Sequence, residues 1–360
     1  MQDVPKRIAI AGAGVAGSLL YRALTDLGRT VDIYDLPHRR TACGIHSCAW
    51  GVSADFFRWM QGARADPAAY IANRITRVDF GGQTVPAEIY LLDKPRLIRE
   101  LLDGAPIRST PIPAGWYDRV LDCTGAARAY LPPTMERDVL CDTIQMRIYS
   151  SDFPDDTIQL RYWKVGYCWL FPLGNHRFHL GAGGFPKQCG DLHQMLESAG
   201  FLDGNDRMAG CRTEQICGCE STIRLTGPLG ARPHVAPDSP SGCPVWGVGE
   251  SIGTVSPISG EGITHALQCA ALYLAHERDA RAYSEAVVRE FSRMAKERGI
   301  LEKAMTGRWF SLSEWRAIQQ NAARMGIRVG VAEILAVLRE LLRHRWIRLA
   351  DLIPGDQTAR

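Results

Sequence analysis

The stretch Ile8-Ala9-Ile10-Ala11-Gly12-Ala13-Gly14-Val15-Ala16-Gly17 decides the fold. Four apolar residues in a row read as a strand buried on both faces, and the glycines after them follow the spacing Gly-x-Gly-x-x-Gly. Ser18 to Leu27 then reads as a helix with Leu19, Leu20, Ala23, Leu24 and Leu27 on one face. Val31-Asp32-Ile33-Tyr34 reads as a second strand, with Asp35 at its end. This β-α-β order is the one that grips a dinucleotide. Gly12 permits a tight turn, Gly14 lets the backbone approach a pyrophosphate, Gly17 lets the helix pack closely, and the helix N-terminus offers free N–H groups. Asp35 is placed to accept hydrogen bonds from ribose hydroxyls and would repel a ribose phosphate.

A second glycine-rich turn lies far along the chain: Val245-Trp246-Gly247-Val248-Gly249-Glu250, then Pro257 and Gly260-Glu261-Gly262-Ile263, with a helix expected over 264–276. A long dinucleotide needs contacts at both ends, so the pair of turns favours flavin adenine dinucleotide over a nicotinamide cofactor. N–H groups at the second helix would meet the flavin pyrimidine edge, where negative charge builds on reduction, and Glu250 would bond the ribityl hydroxyls.

Between the turns, the loop from Arg39 to Gly51 carries Cys43 and Cys48 and leaves the first domain where a flavin ring would reach. The Cys-x4-Cys pair keeps a disulfide oxidoreductase open, although the chain has no second Gly-x-Gly-x-x-Gly. It fits better two buried thiols, or one thiol beside the ring. A helix opened by Pro95 is expected over 91–102; its Arg96 reads either as a phosphate contact or as a solvated charge. Tyr117 to Ala126 reads as a strand ending in Asp122-x-Thr124-Gly125, at the sheet edge where ligands sit. From Asp142 to Gly184 the pattern alternates as in antiparallel strands, and Tyr167, Trp169 and Phe171 share one face as an aromatic wall. Cys211, Cys217 and Cys219 match no common zinc spacing, and no metal is expected.

Bulk properties narrow the function. The 360 residues and 46% apolar content suit one large or two interleaved domains. A net charge of +3 argues against nucleic acid as a partner. The tail from His276 to Arg360 is the basic part, with 16 Lys and Arg against 11 Asp and Glu. There Ile327, Val331, Leu335, Leu338, Leu342 and Trp346 recur at helical spacing. Such a helix fits a peripheral membrane contact, and fits packing on its own protein better. Eleven irregularly spaced cysteines, an opening without a secretory signal and no long apolar run lead to a cytoplasmic expectation.

With these motifs in view, the chain resembles the geranylgeranyl reductase family of flavoproteins, related to digeranylgeranylglycerophospholipid reductases. Four segments carry the likeness: Gly12-x-Gly14-x-x-Gly17, Cys48-Ala49-Trp50-Gly51, Tyr167-x-Trp169-x-Phe171-Pro172 with Gly181-x-Gly183, and Pro257-x-x-Gly260-Glu261-Gly262-Ile263. The resemblance implies an α/β protein: an FAD-binding Rossmann-like domain of the p-hydroxybenzoate hydroxylase type, an antiparallel-sheet substrate domain and a helical C-terminal region. It would divide the chain into 1–141 and 241–276 for FAD, 142–240 for substrate and 277–360 for the helices. It also implies FAD contacts at Ala16, Asp35, Cys48, Ala49, Gly51, Arg96, Ala126, Glu250, Gly262 and Ile263, and an isoprenoid cavity along Tyr167 and Trp169. Cys48 would tune the flavin or relay a proton. Relatives usually carry Asp where Glu250 stands, and the segment between Arg96 and Asp122 is short.

The implied reaction saturates carbon–carbon double bonds of a polyprenyl lipid or isoprenoid precursor. NAD(P)H, a small ferredoxin-like donor or a deazaflavin would supply the electrons. A flavin-dependent monooxygenase or halogenase and a non-catalytic flavin or lipid carrier remain as alternatives.

Overall fold

In the computed structural model the opening run forms β1 (Arg7–Ala11), followed by α1 (Val15–Asp26) and β2 (Thr30–Tyr34). The chain continues through β3 (Gly51–Val52), α2 (Asp55–Met60), β4 (Ile71–Asp79), β5 (Thr84–Leu92), α3 (Lys94–Leu102), β6 (Ile107–Arg108) and β7 (Arg119–Asp122). A run of strands comes next: β8 (Leu140–Tyr149), β9 (Thr157–Trp163), β10 (Gly166–Gly174) and β11 (Arg177–Gly184). The short helices α4 (Pro186–Cys189) and α5 (Leu192–Ser198) lead to the long strand β12 (Arg212–Arg224). After α6 (Gly227–Gly230), β13 (Val235–Ala236) and β14 (Val245–Gly247) come α7 (Ile263–His276), α8 (Ala280–Glu290), α9 (Arg293–Met305) and α10 (Leu312–Arg324). The structure describes residues 5–35, 48–60, 66–163, 165–202, 212–237, 239 and 242–330. Cys43, Cys211, the side chains of Cys217 and Cys219, and the tail stripe from Val331 onward lie outside them. Among the described residues no helix is long and apolar enough to cross a membrane.

The strands form two sheets. The first has the order β13-β14-β7-β1-β2-β6 and is parallel apart from the β13–β14 pair. The second has the order β12-β8-β11-β10-β9-β4-β5-β3 and is antiparallel apart from β4–β9. Strands β3, β4 and β5 thus belong to the second sheet although they lie within 1–141, so that boundary does not separate the two sheets. The segment escapes the alternation test because Arg74, Thr76, Arg77 and Asp79 make β4 polar. The first core gathers Ile8, Ile10, Leu20, Leu24, Val120, Leu121 and Trp246. A second core lies between the β8–β11 strands and α5, with Met146, Leu170, Phe178 and Leu180 against Met195 and Leu196.

The first glycine turn is held by close backbone packing. Gly12 has φ +99°, and a Cβ there would lie 2.4 Å from the Cys123 carbonyl oxygen. A Cβ on Gly17 would lie 1.9 Å from the Gly12 carbonyl oxygen. α1 begins at Val15, earlier than its apolar spacing suggests, because Gly14 caps it in extended conformation. At the end of β7, Asp122 is wholly buried. Its Oδ1 accepts from the Thr124 hydroxyl (2.6 Å) and N–H (3.1 Å), and its Oδ2 from the N–H groups of Tyr130 (2.9 Å) and Leu131 (3.1 Å). The Asp-x-Thr-Gly motif therefore ties a turn, and its acid does not face a ligand.

Replacing Gly17 with Ala should destabilise the fold by about 1–3 kcal/mol, because an added methyl group forces α1 off the Gly12 turn. A denaturant titration that leaves the midpoint unchanged would contradict this packing.

Candidate functional site

The two glycine turns meet. A Cβ on Gly249 would lie 3.4 Å from the Ala16 Cβ and 3.7 Å from the Ala266 Cβ, so the second turn sits between the starts of α1 and α7. Backbone bonds align the strand ends beneath them: the Cys123 N–H donates to the Ala11 carbonyl (2.8 Å) and the Val248 N–H to the Asp122 carbonyl (3.0 Å). Neither Gly14 nor Gly262, the N-caps of α1 and α7, brings a side chain to satisfy the first turn of its helix. A Cβ on Gly14 would meet nothing within 4 Å. That face is open for another molecule to meet the N–H groups. Asp35 stands at its rim, its Oδ1 3.4 Å from the Ala13 N–H.

Glu250 begins a 3-10 turn (Gly249–Ile252) rather than extending a strand. Its Oε1 accepts from the Arg224 N–H (2.9 Å), and the Arg224 guanidinium donates to the Ala126 carbonyl (2.5 Å). Burial pushes the Glu250 carboxyl above the usual carboxylate range. Ala126 and Glu250 are thereby brought together, and a Cβ on the intervening Gly125 would lie 3.3 Å from Glu250 Oε2. Arg96 is held elsewhere: its guanidinium donates to Glu100 Oε1 (2.7 Å) and the Ala69 carbonyl (2.9 Å), leaving no hydrogen bond from it to the first glycine turn among the described residues.

The remaining site residues line one cavity of about 370 Å3. Cys48, Ala49 and Gly51 enter it from one side, Gly260, Gly262 and Ile263 from another, and Tyr167, Trp169 and Phe171 form a wall. Two links fix this meeting. The Tyr167 hydroxyl donates to the Ser259 carbonyl (2.8 Å), tying β10 to the second glycine turn. Trp169 Nε1 reaches Gln145 Oε1 (3.4 Å), and Gln145 Nε2 donates to the Cys48 carbonyl (3.0 Å). The paired strand explains the glycines after the aromatic motif. Trp169 faces Gly181 across β10–β11, and a Cβ on Gly181 would lie 2.4 Å from the indole ring. The Cys48 thiol is free. Burial pushes the Tyr167 hydroxyl well above its usual range and the Cys141 thiol up to about 12.

The C-terminal helices complete this cavity, which the sequence reading did not anticipate. Ile300, Leu301 and Ala304 of α9, Phe310 of the following turn, and Trp315 and Ile318 of α10 line it too. Their helical spacing was the available signal, but it does not reveal what a helix covers. A buried polar group pins both helices to the second glycine turn. Glu297, 1% exposed, accepts from the Ser256 hydroxyl (2.7 Å), Asn321 Nδ2 (3.2 Å) and Arg324 (3.3 Å).

Three buried histidines are held neutral. Burial pushes His179 down to about 3, aided by Arg147; His265 to about 3, aided by Arg293; and His234 to about 4, with Arg232 nearby. Each takes up a proton only on unfolding. Each therefore contributes stability that is complete above about pH 6.5 and falls, as the pH drops toward its folded value, by about 1.4 kcal/mol per pH unit. Their ring resonances in NMR should stay at the neutral position from pH 8 to pH 5; titration in that window would contradict the burial.

No family model matches the chain. An uncharacterized protein of Methanocaldococcus jannaschii is 24% identical over 304 residues, covering 72% of this chain and 80% of its own. A geranylgeranyl bacteriochlorophyll reductase-like protein of Thermoplasma acidophilum superposes with TM-score 0.65 at 16% identity, over 94% of this chain and 98% of its own. A flavin-dependent brominase superposes at 0.60 with 12% identity, over 95% and 99%. HpxO of Klebsiella pneumoniae, solved with FAD and uric acid, superposes at 0.55 with 15% identity, over 93% and 96%. The chain thus has the two-sheet flavoprotein fold that geranylgeranyl reductase-like proteins share with FAD-dependent hydroxylases and halogenases.

Proposed function

We propose that the chain is an FAD-dependent reductase that saturates carbon–carbon double bonds of polyprenyl lipids or their isoprenoid precursors. The observation that carries this reading is the apolar, aromatic-walled cavity between the Cys48–Gly51 loop, β10 and the Pro257–Ile263 end of the second glycine turn. Gly12, Gly14, Ala16 and Gly17 would hold the pyrophosphate, and Asp35 the adenosine ribose. Ala126 and Glu250 would flank the ribityl chain, and Cys48, Ala49, Gly51, Gly260, Gly262 and Ile263 the redox end. The two uncapped helix starts and the open face at Gly14 fit such a group. Bound FAD supplies a two-electron hydride source.

An isolated alkene is a poor hydride acceptor, so positioning and water exclusion must carry much of the rate. Tyr167, Trp169 and Phe171 give the polyprenyl chain an aromatic wall, and residues of α9 and α10 complete the enclosure. The N–H groups at the start of α7 favour the negative charge that accumulates on reduction. Electrons come from an external donor: NAD(P)H, a ferredoxin-like protein or a deazaflavin. The Thermoplasma resemblance supports a reductase. The likeness to the brominase and HpxO supports a second reading, an oxygen-using monooxygenase or halogenase, on the same fold.

The purified chain should bind FAD, and the chemically reduced holoprotein should add two mass units per double bond to a polyprenyl substrate without consuming oxygen. Oxygen uptake with hydroxylated or halogenated product supports the second reading; unchanged isoprenoids across all lengths tested refute the first. Gly14→Val should leave the unfolding midpoint nearly unchanged while weakening FAD binding at least tenfold by titration, since its Cβ meets only the open face.

A further inference from the structure

A second, smaller cavity of about 240 Å3 lies behind the second glycine turn and is polar. Asp55 and Arg58 of α2, His265 of α7, Glu290 at the end of α8, Arg293 of α9 and Arg324 of α10 face it. Among the described residues Glu261 alone lines both this cavity and the apolar one. Glu261 is buried, and its carboxyl meets the Thr264 hydroxyl, the Ser53 N–H and the charge of Arg293, with His265 Nε2 3.7 Å from Oε2. Thr264 and Arg293 line the same polar cavity, and Arg293 Nε lies 3.7 Å from Glu297 Oε1. A space of this size lined by several buried polar groups is the setting in which proteins hold ordered water.

We propose that Glu261 carries protons from the polar cavity into the apolar one and is the acid of the double-bond reduction, a role that rests on the function proposed above. The step balances. Hydride reaches one alkene carbon from the two-electron-reduced dinucleotide, the Glu261 carboxyl gives H+ to the adjoining carbon, and the carboxylate regains H+ from water in the polar cavity.

The neighbouring groups suit this role. Burial pushes the Glu261 carboxyl up to about 7, so it is both filled and emptied near neutral pH. The Thr264 hydroxyl, Arg293 and the Ser53 N–H oppose this rise, and Asp55 adds to it. His265 does not compete. Its Nε2 lies 2.6 Å from Arg293, which can only donate, so Nδ1 carries the hydrogen and donates to the Glu261 carbonyl (2.8 Å). Glu297 is occupied with Ser256, Asn321 and Arg324. On the apolar side burial pushes the Cys141 thiol up to about 12. Cys48 is the thiol that lines that cavity nearest in sequence to Trp50 and Gly51.

The test uses FAD-loaded wild-type protein, Glu261→Gln and Glu261→Asp. Infrared spectroscopy across pH should show one buried carboxyl titrating near neutrality, absent in Glu261→Gln. Its midpoint should rise when the bound flavin is reduced, because added negative charge disfavours the carboxylate. Single-turnover reduction of a polyprenyl alkene by the pre-reduced protein should slow about 100-fold or more in Glu261→Gln, lose its pH dependence near neutrality and recover in part in Glu261→Asp, with FAD affinity unchanged. A Glu261→Gln protein with the wild-type rate and pH profile overturns the proposal. So does a carboxyl midpoint indifferent to flavin reduction, whether or not the wild type turns over any alkene. A wild type that leaves every alkene untouched overturns the function instead, and the infrared midpoint then decides the relay alone.

Discussion

The structure depends on one crowded point, where the ends of β1, β7 and β14 come together. The Gly12 turn presses on the Cys123 carbonyl, Gly17 brings α1 down onto Gly12, and Gly249 slots between Ala16 and Ala266. No side chain larger than hydrogen fits at Gly12 or Gly17 without moving backbone. Segments more than two hundred residues apart therefore share one surface, and that surface carries two uncapped helix starts. The geometry is steric before it is chemical. Remove the close approach and the helix ends separate, and no arrangement of acids around them would form one elongated site.

The second sheet is joined to this point by polar links placed inside an otherwise apolar wall. Tyr167 donates to Ser259, and Trp169 connects through Gln145 to Cys48. A neutral hydrogen bond contributes only about 1 kcal/mol net, so these links add little to stability. Their effect is registry. They fix which face of β10 meets the second glycine turn, while Cys168 and Leu170 on the other face fill the core against α5.

Much of this was legible in the sequence because it follows from local rules. Gly12, Gly14 and Gly17 announce their turn by spacing, and Tyr167, Trp169 and Phe171 their shared face by alternation. What escaped depends on tertiary partners. Polar β4 gives no alternation to read, so its place in the second sheet, and that of β5, went unseen. Asp122 looks like a ligand acid at a sheet edge until its four backbone and hydroxyl donors are traced. Arg96 reads equally as a phosphate contact or a solvated charge, and only the fold shows its pairing with Glu100, one helical turn on. The cavity residues on α9 and α10 carry ordinary amphipathic spacing; only the fold reveals which surface they cover.

The closure by α9 and α10 sets two demands against each other. A cavity for a lipid chain needs apolar walls and no water, yet the reaction proposed for it consumes a proton. Two buried acids of the same region divide these tasks by their partners. Glu297 is surrounded by Ser256, Asn321 and Arg324, and Arg293 lies 3.7 Å away. A carboxyl with that many partners fastens the helices down, because removing one side would leave buried polar groups unpaired. At Glu261 burial outweighs the Thr264 hydroxyl, Arg293 and the Ser53 N–H and favours the protonated form. Glu297 is the clamp between the helices and the second glycine turn; Glu261 is the acid whose burial favours a bound proton. In the proposed relay Glu261, the residue shared by the two cavities, lets the site remain dry on one side and supplied with protons on the other.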